Sequence, residues 1–294
     1  MTPRSPSGVR DVLSSVAPYA FVLIWSSSFV TARIGLRLVT PLLFVAVRLV
    51  VAAVILMAAM VVRRESWAPL RGRWYHLMVA GALVNGLTLA AFHVGMVTVD
   101  AAVMALVQAM SPLLIALLGR PLLGERLRRR QWLGILVGFA GMLLVVGRSA
   151  AHSHAELAAV LLGFLGVVGL AGGTLYFGRW GRGVPLLPAT AVQLASAAVL
   201  VLLAMLLFET PRATWSGEAV AAVAWNVVVV SIGGMTLYYL LLNRGAAGRV
   251  AANFYLVPGV VVLLGWWLLA ETLTPLALGG LALASLGVWL TQSS

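Results

Sequence analysis

Apolar runs of membrane-crossing length follow one another along almost the whole chain, separated by short polar breaks. A bilayer core takes about 20 apolar residues per helix. Such runs fall at 15–36, 40–62, 74–92, 97–118 and 131–147, and again at 157–178, 186–208, 218–241, 248–269 and 275–291. In hydrocarbon a backbone must satisfy its own N–H and C=O groups, so each run is expected to be a helix. The breaks leave no room for a soluble domain. Composition agrees: 62% of the 294 residues are hydrophobic and 10% are charged, against about 45–50% and 25% in soluble domains. The expected fold class is an all-α polytopic membrane protein with ten transmembrane helices.

The net charge is +12, and every basic residue is an arginine. With the N-terminus inside, the inner segments collect Arg4, Arg10, Arg63, Arg64, Arg71, Arg73, Arg120, Arg126, Arg128, Arg129, Arg130, Arg179, Arg182, Arg244 and Arg249. The outer segments hold Arg33, Arg37, Arg148 and Arg212. This bias places both termini in the cytoplasm. The charge therefore reflects topology; no polar domain exists to hold nucleic acid. Residues 1–10 show no removable leader pattern, so the first apolar run is expected to act as its own insertion signal. Trp67, Trp74, Trp132 and Trp180 fall near inner helix ends and Trp215, Trp225, Trp266 and Trp267 toward outer ends, as an interfacial belt requires. There is no cysteine, which excludes disulfides and thiolate metal sites. His152 and His154 form His-Ser-His in an expected outer loop, too few ligands for a metal. Neither metal nor cofactor is expected.

The chain repeats itself. At one constant displacement Ala105 falls on Ala251, Pro112 on Pro258, Gly119 on Gly265, Glu125 on Glu271, Gly134 on Gly280 and Gly141 on Gly287. Weaker echoes pair Arg48 and the residues after it with Gln193 and its successors, and Gly86-Leu87-Thr88-Leu89 with Gly234-Met235-Thr236-Leu237. Five helices per copy is an odd number, so the second copy must enter the membrane upside down. Inverted repeats are the usual plan of secondary transporters, with the binding site near the midplane.

These residues carry a resemblance. Trp25-Ser26-Ser27-Ser28-Phe29-Val30, Pro41 followed by Arg48, and the twin stretches from Ala105 to Gly141 and from Ala251 to Gly287 resemble the EamA family of the drug/metabolite transporter superfamily. The resemblance implies two inverted five-helix EamA repeats, at 15–147 and 157–291, around a central cavity. It also implies movement of amino acids, metabolites or toxic compounds across an inner (plasma) membrane. The family more often has Gly after the Trp, where this chain has Ser26, which weakens any substrate inferred from it.

Polar groups inside apolar spans are the candidates for chemistry. Trp25 and Ser28 sit near mid-membrane in helix one, where an indole offers a stacking face and a donor. Asn85, Gln108, Tyr239 and Asn253 are placed with them as substrate-binding residues; interhelical hydrogen bonding is the rival reading for each. Ser231, Thr236 and Tyr255 are further polar groups of this kind. Arg48 lies about 12 Å into helix two by the helical rise. It is read as structural, bonding helix carbonyls, with an anion-attracting role open. Pro112 and Pro258 are candidates for bending. Glu125 and Glu271, at the ends of helices four and nine, suit anchoring or capping. No acidic residue falls at mid-span, so proton coupling has no support. Gly163, Gly166, Gly169 and Gly172 are expected to let helix six pack closely, and helices five and ten, poor in polar groups, are expected at the periphery.

The expected function is alternating-access export of a small organic solute, with amino acids first. The partners are that solute and the bilayer, and a homodimer is left open. The alternatives are an intramembrane enzyme or a channel-like protein. No Gly-x-Ser-Gly, no His-Glu-x-x-His and no intramembrane acidic cluster supports an enzyme.

Overall fold

A computed structural model describes residues 7–123, 128–244, 256–270 and 275–292. The described residues are helical apart from short turns. In chain order the helices are α1 (Ser7–Gly35), α2 (Pro41–Val62), α3 (Trp74–Gly95), α4 (Ala101–Gly119), α5 (Arg129–His152), α6 (His154–Gly181), α7 (Leu186–Phe208), α8 (Gly217–Leu241), α9 (Leu256–Leu269) and α10 (Pro275–Gln292). Six of them, α2, α3, α4, α6, α7 and α8, are by length and composition able to cross a membrane among the described residues. Valine-rich stretches such as 227–230 would favour strand in water. Here they wind into helix, because in lipid a lone strand would leave its backbone unpaired.

The apolar surface is turned outward as well as inward. Leu207, Phe208, Trp266 and Trp267 are all largely exposed, as are the belt tryptophans Trp67, Trp74, Trp215 and Trp225. An aqueous protein would not tolerate this; a lipid-facing one requires it.

Helix pairing obeys the internal repeat. α2 packs on α7 and α5 on α10, each helix against its own counterpart in the other half. α1 lies against α8 and α9, just as α6 lies against α3 and α4. Small residues set the closest approach. A Cβ on Gly287 of α10 would stand 2.4 Å from the Gly138 amide nitrogen and 2.5 Å from the Gly134 carbonyl oxygen of α5. On α6, Gly163 meets Met104, Gly166 meets Phe92 and Gly169 meets Leu87. Gly172 does not continue the stripe; it faces open space, and its neighbour Gly173 takes the contact, against Val84. The drift follows from 3.6 residues per turn, which a spacing of three cannot track. α5 and α10 pair at one side of the bundle with Leu136, Leu143, Leu286 and Trp289 exposed.

Departures from regular α-helix shape the interior of the bundle, besides a π-turn at Phe177–Gly181 that ends α6. α3 widens into a π-turn at Ala82–Leu87, and α8 does so over Asn226–Gly234. The two are counterparts in the repeat. α4 breaks at Ala109–Met110. Pro112 causes that break: it offers no N–H, and its ring crowds the carbonyl four residues back, that of Gln108. One expectation fails. The His-Ser-His stretch is no loop: α5 runs to His152, and α6 begins at His154. Ser153 alone separates them and caps α6 by accepting the Glu156 N–H at 3.1 Å, satisfying an N–H the helix would otherwise orphan.

Both ends of the bundle are tied across the two halves. At one end Glu209 accepts the N–H groups of Leu42 and Leu43, each at 2.8 Å, so a carboxylate meets the positive end of α2. Beside it the Thr40 N–H donates to the Arg212 carbonyl at 3.0 Å and the Thr214 N–H to that of Leu38 at 2.8 Å. Arg33 at this end pairs with Asp100 and donates to the Met96 carbonyl. At the other end Arg73 donates to the Arg182 carbonyl at 2.7 Å. His76 there bonds the Tyr176 hydroxyl at 2.8 Å and stacks on Trp180.

Gly287→Val places a branched side chain where α5 supplies only backbone. It is expected to lower the unfolding midpoint of the detergent-purified protein by a cost of about 1–3 kcal/mol. Gly172→Val, in open space, is expected to leave that midpoint unchanged.

Candidate functional site

A cleft lies inside the bundle, where α1, α2, α3, α4 and α8 meet. Trp25, Ser28 and Phe29 reach it from α1, Arg48 from α2, Thr88, Phe92 and His93 from α3, Gln108 from α4 and Val230 from α8. The volume open to the centre of a water-sized sphere is about 10 Å³, room for about one water.

Its polar groups are positioned by the irregular helix turns. The break in α4 leaves Gln108 at the end of its first half, buried, and Gln108 Oε1 accepts the Trp25 indole N–H at 3.1 Å. Trp25, also buried, lies 5.2 Å from the Phe21 ring and 6.0 Å from that of Tyr238. On α3, Thr88 follows the π-turn, and its single hydroxyl proton is shared between the Leu83 carbonyl at 2.9 Å and the Gly166 carbonyl at 3.0 Å. His93 Nδ1 donates to the Leu89 carbonyl at 2.7 Å, and its ring stacks on Phe44. Its Nε2 has no hydrogen-bond partner, nor has Gln108 Nε2. Unpaired buried polar atoms are costly; Asn85 Oδ1, Ser111 Oγ, Thr190 Oγ1 and Gln193 Oε1 are others among the described residues, and His93 and Gln108 are the two that line this cleft.

Arg48 is 1% exposed. It does not bond helix carbonyls, contrary to the expectation from sequence. Its Nε donates to Ser231 Oγ at 2.7 Å and its Nη1 to Asn226 Oδ1 at 2.8 Å. Both acceptors come from the π-wound stretch of α8, whose wider turn brings two polar side chains toward α2. Asn226 is held in turn: its Nδ2 donates to Thr31 Oγ1 at 2.9 Å and to the Ala222 carbonyl at 3.0 Å. That arrangement aims its oxygen at the guanidinium. Ser27 joins the same region, accepting the Trp225 indole N–H at 2.9 Å.

The structure thus brings Trp25, Ser28, Arg48 and Gln108 to one cleft. It does not bring Asn85 and Tyr239 there. They pair with each other, Asn85 Nδ2 donating to the Tyr239 hydroxyl at 3.2 Å. They sit in an adjoining aromatic cluster where Tyr239 contacts Phe177 and Tyr238, and Tyr238 bonds Thr174 at 2.6 Å. Pro112 shapes the cleft through the α4 break, and Pro258 is buried in the first turn of α9. Asn253, Glu125 and Glu271, with Tyr255, lie outside the described residues. Sequence reasoning passed over Asn226, Thr88 and His93. A single Asn ahead of four valines and a single His in an apolar span were the available signals. Among the described residues no group of three His, Cys, Asp or Glu is placed to hold a metal.

Asn226→Ala leaves Arg48 short of an acceptor in a water-poor interior. It is expected to destabilise the protein by about 2 kcal/mol, and Ser231→Ala by about 1 kcal/mol. Denaturant unfolding in detergent micelles, followed by tryptophan fluorescence, measures both.

Comparison with known proteins agrees with this architecture. The chain is 30% identical over 277 residues to the uncharacterized inner membrane transporter YedA of Escherichia coli strain K12, with 91% of this chain and 88% of that protein covered. It is 24% identical to the uncharacterized transporter YvbV of Bacillus subtilis, covering 92% and 89%. A protein of Salmonella typhimurium named a probable amino-acid metabolite efflux pump is 26% identical, covering 92% and 91%. A solved crystal structure superposes with a TM-score of 0.69 at 22% identity, covering 94% of this chain and 96% of the other, a likeness of fold. The EamA-like transporter family matches twice, over residues 16–147 and 157–292. This protein belongs to the EamA-like transporter family.

Proposed function

We propose that this protein exports a small organic solute, an amino acid or related metabolite, across the inner membrane by alternating access. The observation that carries the reading is the cleft itself. It is a narrow pocket with unpaired polar atoms, lined by four helices of the first half and by Val230 of the second, and set well inside the bundle. A channel would need a continuous wet path; here hydrogen bonds tie the two halves together at both ends. An enzyme of the hydroxyl-nucleophile kind would need a hydroxyl bonded to a base; the Thr88 hydroxyl bonds the Leu83 and Gly166 carbonyls instead, and His93 Nε2 has no partner. The pairing of α2 with α7 and of α5 with α10 supports ten spans in two inverted halves, with exchange between two related packings as the transport step. The name of the Salmonella relative supports both the outward direction and the solute class.

Trp25 anchors this cleft. Trp25→Ala is expected to cut counterflow of amino acids in proteoliposomes by about tenfold or more, with the elution profile of the purified protein unchanged. Wild-type flux in that variant would remove Trp25 from the path. The absence of native cysteine makes topology simple to map: single cysteines placed at either terminus are expected to react with an impermeant maleimide only from the cytoplasmic side. Labelling of the two ends from opposite sides would overturn the ten-span arrangement.

A further inference from the structure

Arg48 presents an unresolved charge. It is buried in the cleft wall, and among the described residues no carboxylate pairs with it; the ion pair found there is Arg33 with Asp100, at the end of the bundle. Its acceptors, Ser231 Oγ and Asn226 Oδ1, are neutral. They orient the guanidinium without cancelling its charge. A guanidinium has five N–H donors in a planar fork, so donors remain beyond those two bonds. A cation held away from water without a counter-ion is strongly disfavoured, and an intramembrane arginine is by default a candidate for function.

The repeat shows that the fold alone does not call for this charge. Gln193 stands at the corresponding place in the second half, buried like Arg48 but neutral; its Nε2 donates to the Ala189 carbonyl at 3.2 Å, while its Oε1 has no partner. The charge belongs to one half only, and that half turns it toward the cleft. A second, independent observation points the same way. Gln108 Nε2, a donor, lines the same cleft and has no partner. The cleft therefore offers a cation and a neutral donor beside an apolar wall made by Trp25, Phe29 and Phe92.

We propose that Arg48 binds the carboxylate of the transported solute, making the substrate class small organic acids and zwitterions with an apolar portion. The planar carboxylate takes the free guanidinium N–H groups, the geometry for which arginine is suited. Gln108 supplies a further donor, and the apolar portion lies on the aromatic wall. The present free volume holds about one water, so the solute enters as the cleft widens. This assignment rests on the transport reading.

The test compares acids with their carboxamides. Phenylalanine, leucine and 3-phenylpropionate, each beside its amide, are offered in counterflow to wild-type protein and to Arg48→Gln and Arg48→Lys variants in liposomes. Glutamine is the residue the second half uses at this place, and it is polar without a charge. Wild-type protein is expected to prefer the acid of at least one pair about tenfold or more. The preference should fall to within about twofold in Arg48→Gln, and Arg48→Lys should lie between. The phenylpropionate pair is decisive because it carries no amine. Equal acceptance of acid and amide by wild-type protein, or an undiminished preference in Arg48→Gln, overturns the assignment while leaving transport standing. If no solute moves at all, the transport reading fails and this assignment with it. Should Arg48→Gln not fold, thermal stabilisation of detergent-purified wild-type protein decides: protection by the acids and not the amides supports the proposal, and equal protection overturns it.

Discussion

A polar group inside this molecule has no water to fall back on, and most of the architecture follows from that. Backbone groups are satisfied by helix nearly everywhere. Side chains are satisfied across helices, as where Arg48 of α2 meets Ser231 and Asn226 of α8, and Asn226 in turn holds Thr31 of α1. These bonds join three helices in the middle of the bundle, where apolar contact alone discriminates poorly between protein and lipid. The same scarcity makes the exceptions informative. Where Gln108 Nε2 and His93 Nε2 remain without partners, the protein has kept bonding capacity that its own packing does not use.

The irregular turns supply that capacity. Regular α-helix hides its carbonyls and spaces side chains uniformly; a π-turn or a proline break does neither. The π-turn of α3 leads into Thr88 and the cleft wall, that of α8 carries Asn226 and Ser231, and the α4 break sets Gln108 against Trp25. The two π-turns occupy corresponding places in the two halves. The two halves thus carry π-turns at corresponding places but differ in charge, with Arg48 in the cleft wall of one half and neutral Gln193 at the corresponding place of the other.

The two halves are tied at the ends of the bundle as well as at its centre. Glu209 on the start of α2 and the short backbone bridge beside it close one end, and Arg73 with the His76, Tyr176 and Trp180 group closes the other. These contacts lie where solvent can replace them, so each can open at modest cost. The buried network around Arg48 cannot be re-solvated so cheaply. In the transport reading, release of one end lets the cleft widen beside that network while the network keeps its own bonds.

Helix positions were legible from the sequence because the bilayer sets a single length and a single type of element. Limits such as 186–208 match the helix residue for residue and several others agree within a few, but helix one begins at Ser7, well before the expected start at 15, and helix five runs on to His152. The repeat was legible because Pro112 and Pro258, and Gly141 and Gly287, are rare enough in apolar surroundings to register. Trp25, Arg48 and Gln108 stood out as polar groups in apolar runs, and that rarity was sufficient to mark them. What the sequence could not determine was which polar group faces which. Asn85 and Tyr239 look as eligible as Gln108 by composition, yet they turn to each other, and Asn226, unremarked, holds Arg48. Partner choice depends on the rotation of each helix about its axis and on where a π-turn shifts that rotation, and both are decided by packing between segments far apart in the chain. The apolar pattern determined that this protein lies in a membrane as two related halves; only the tertiary structure decided where, between them, a charge is left unbalanced.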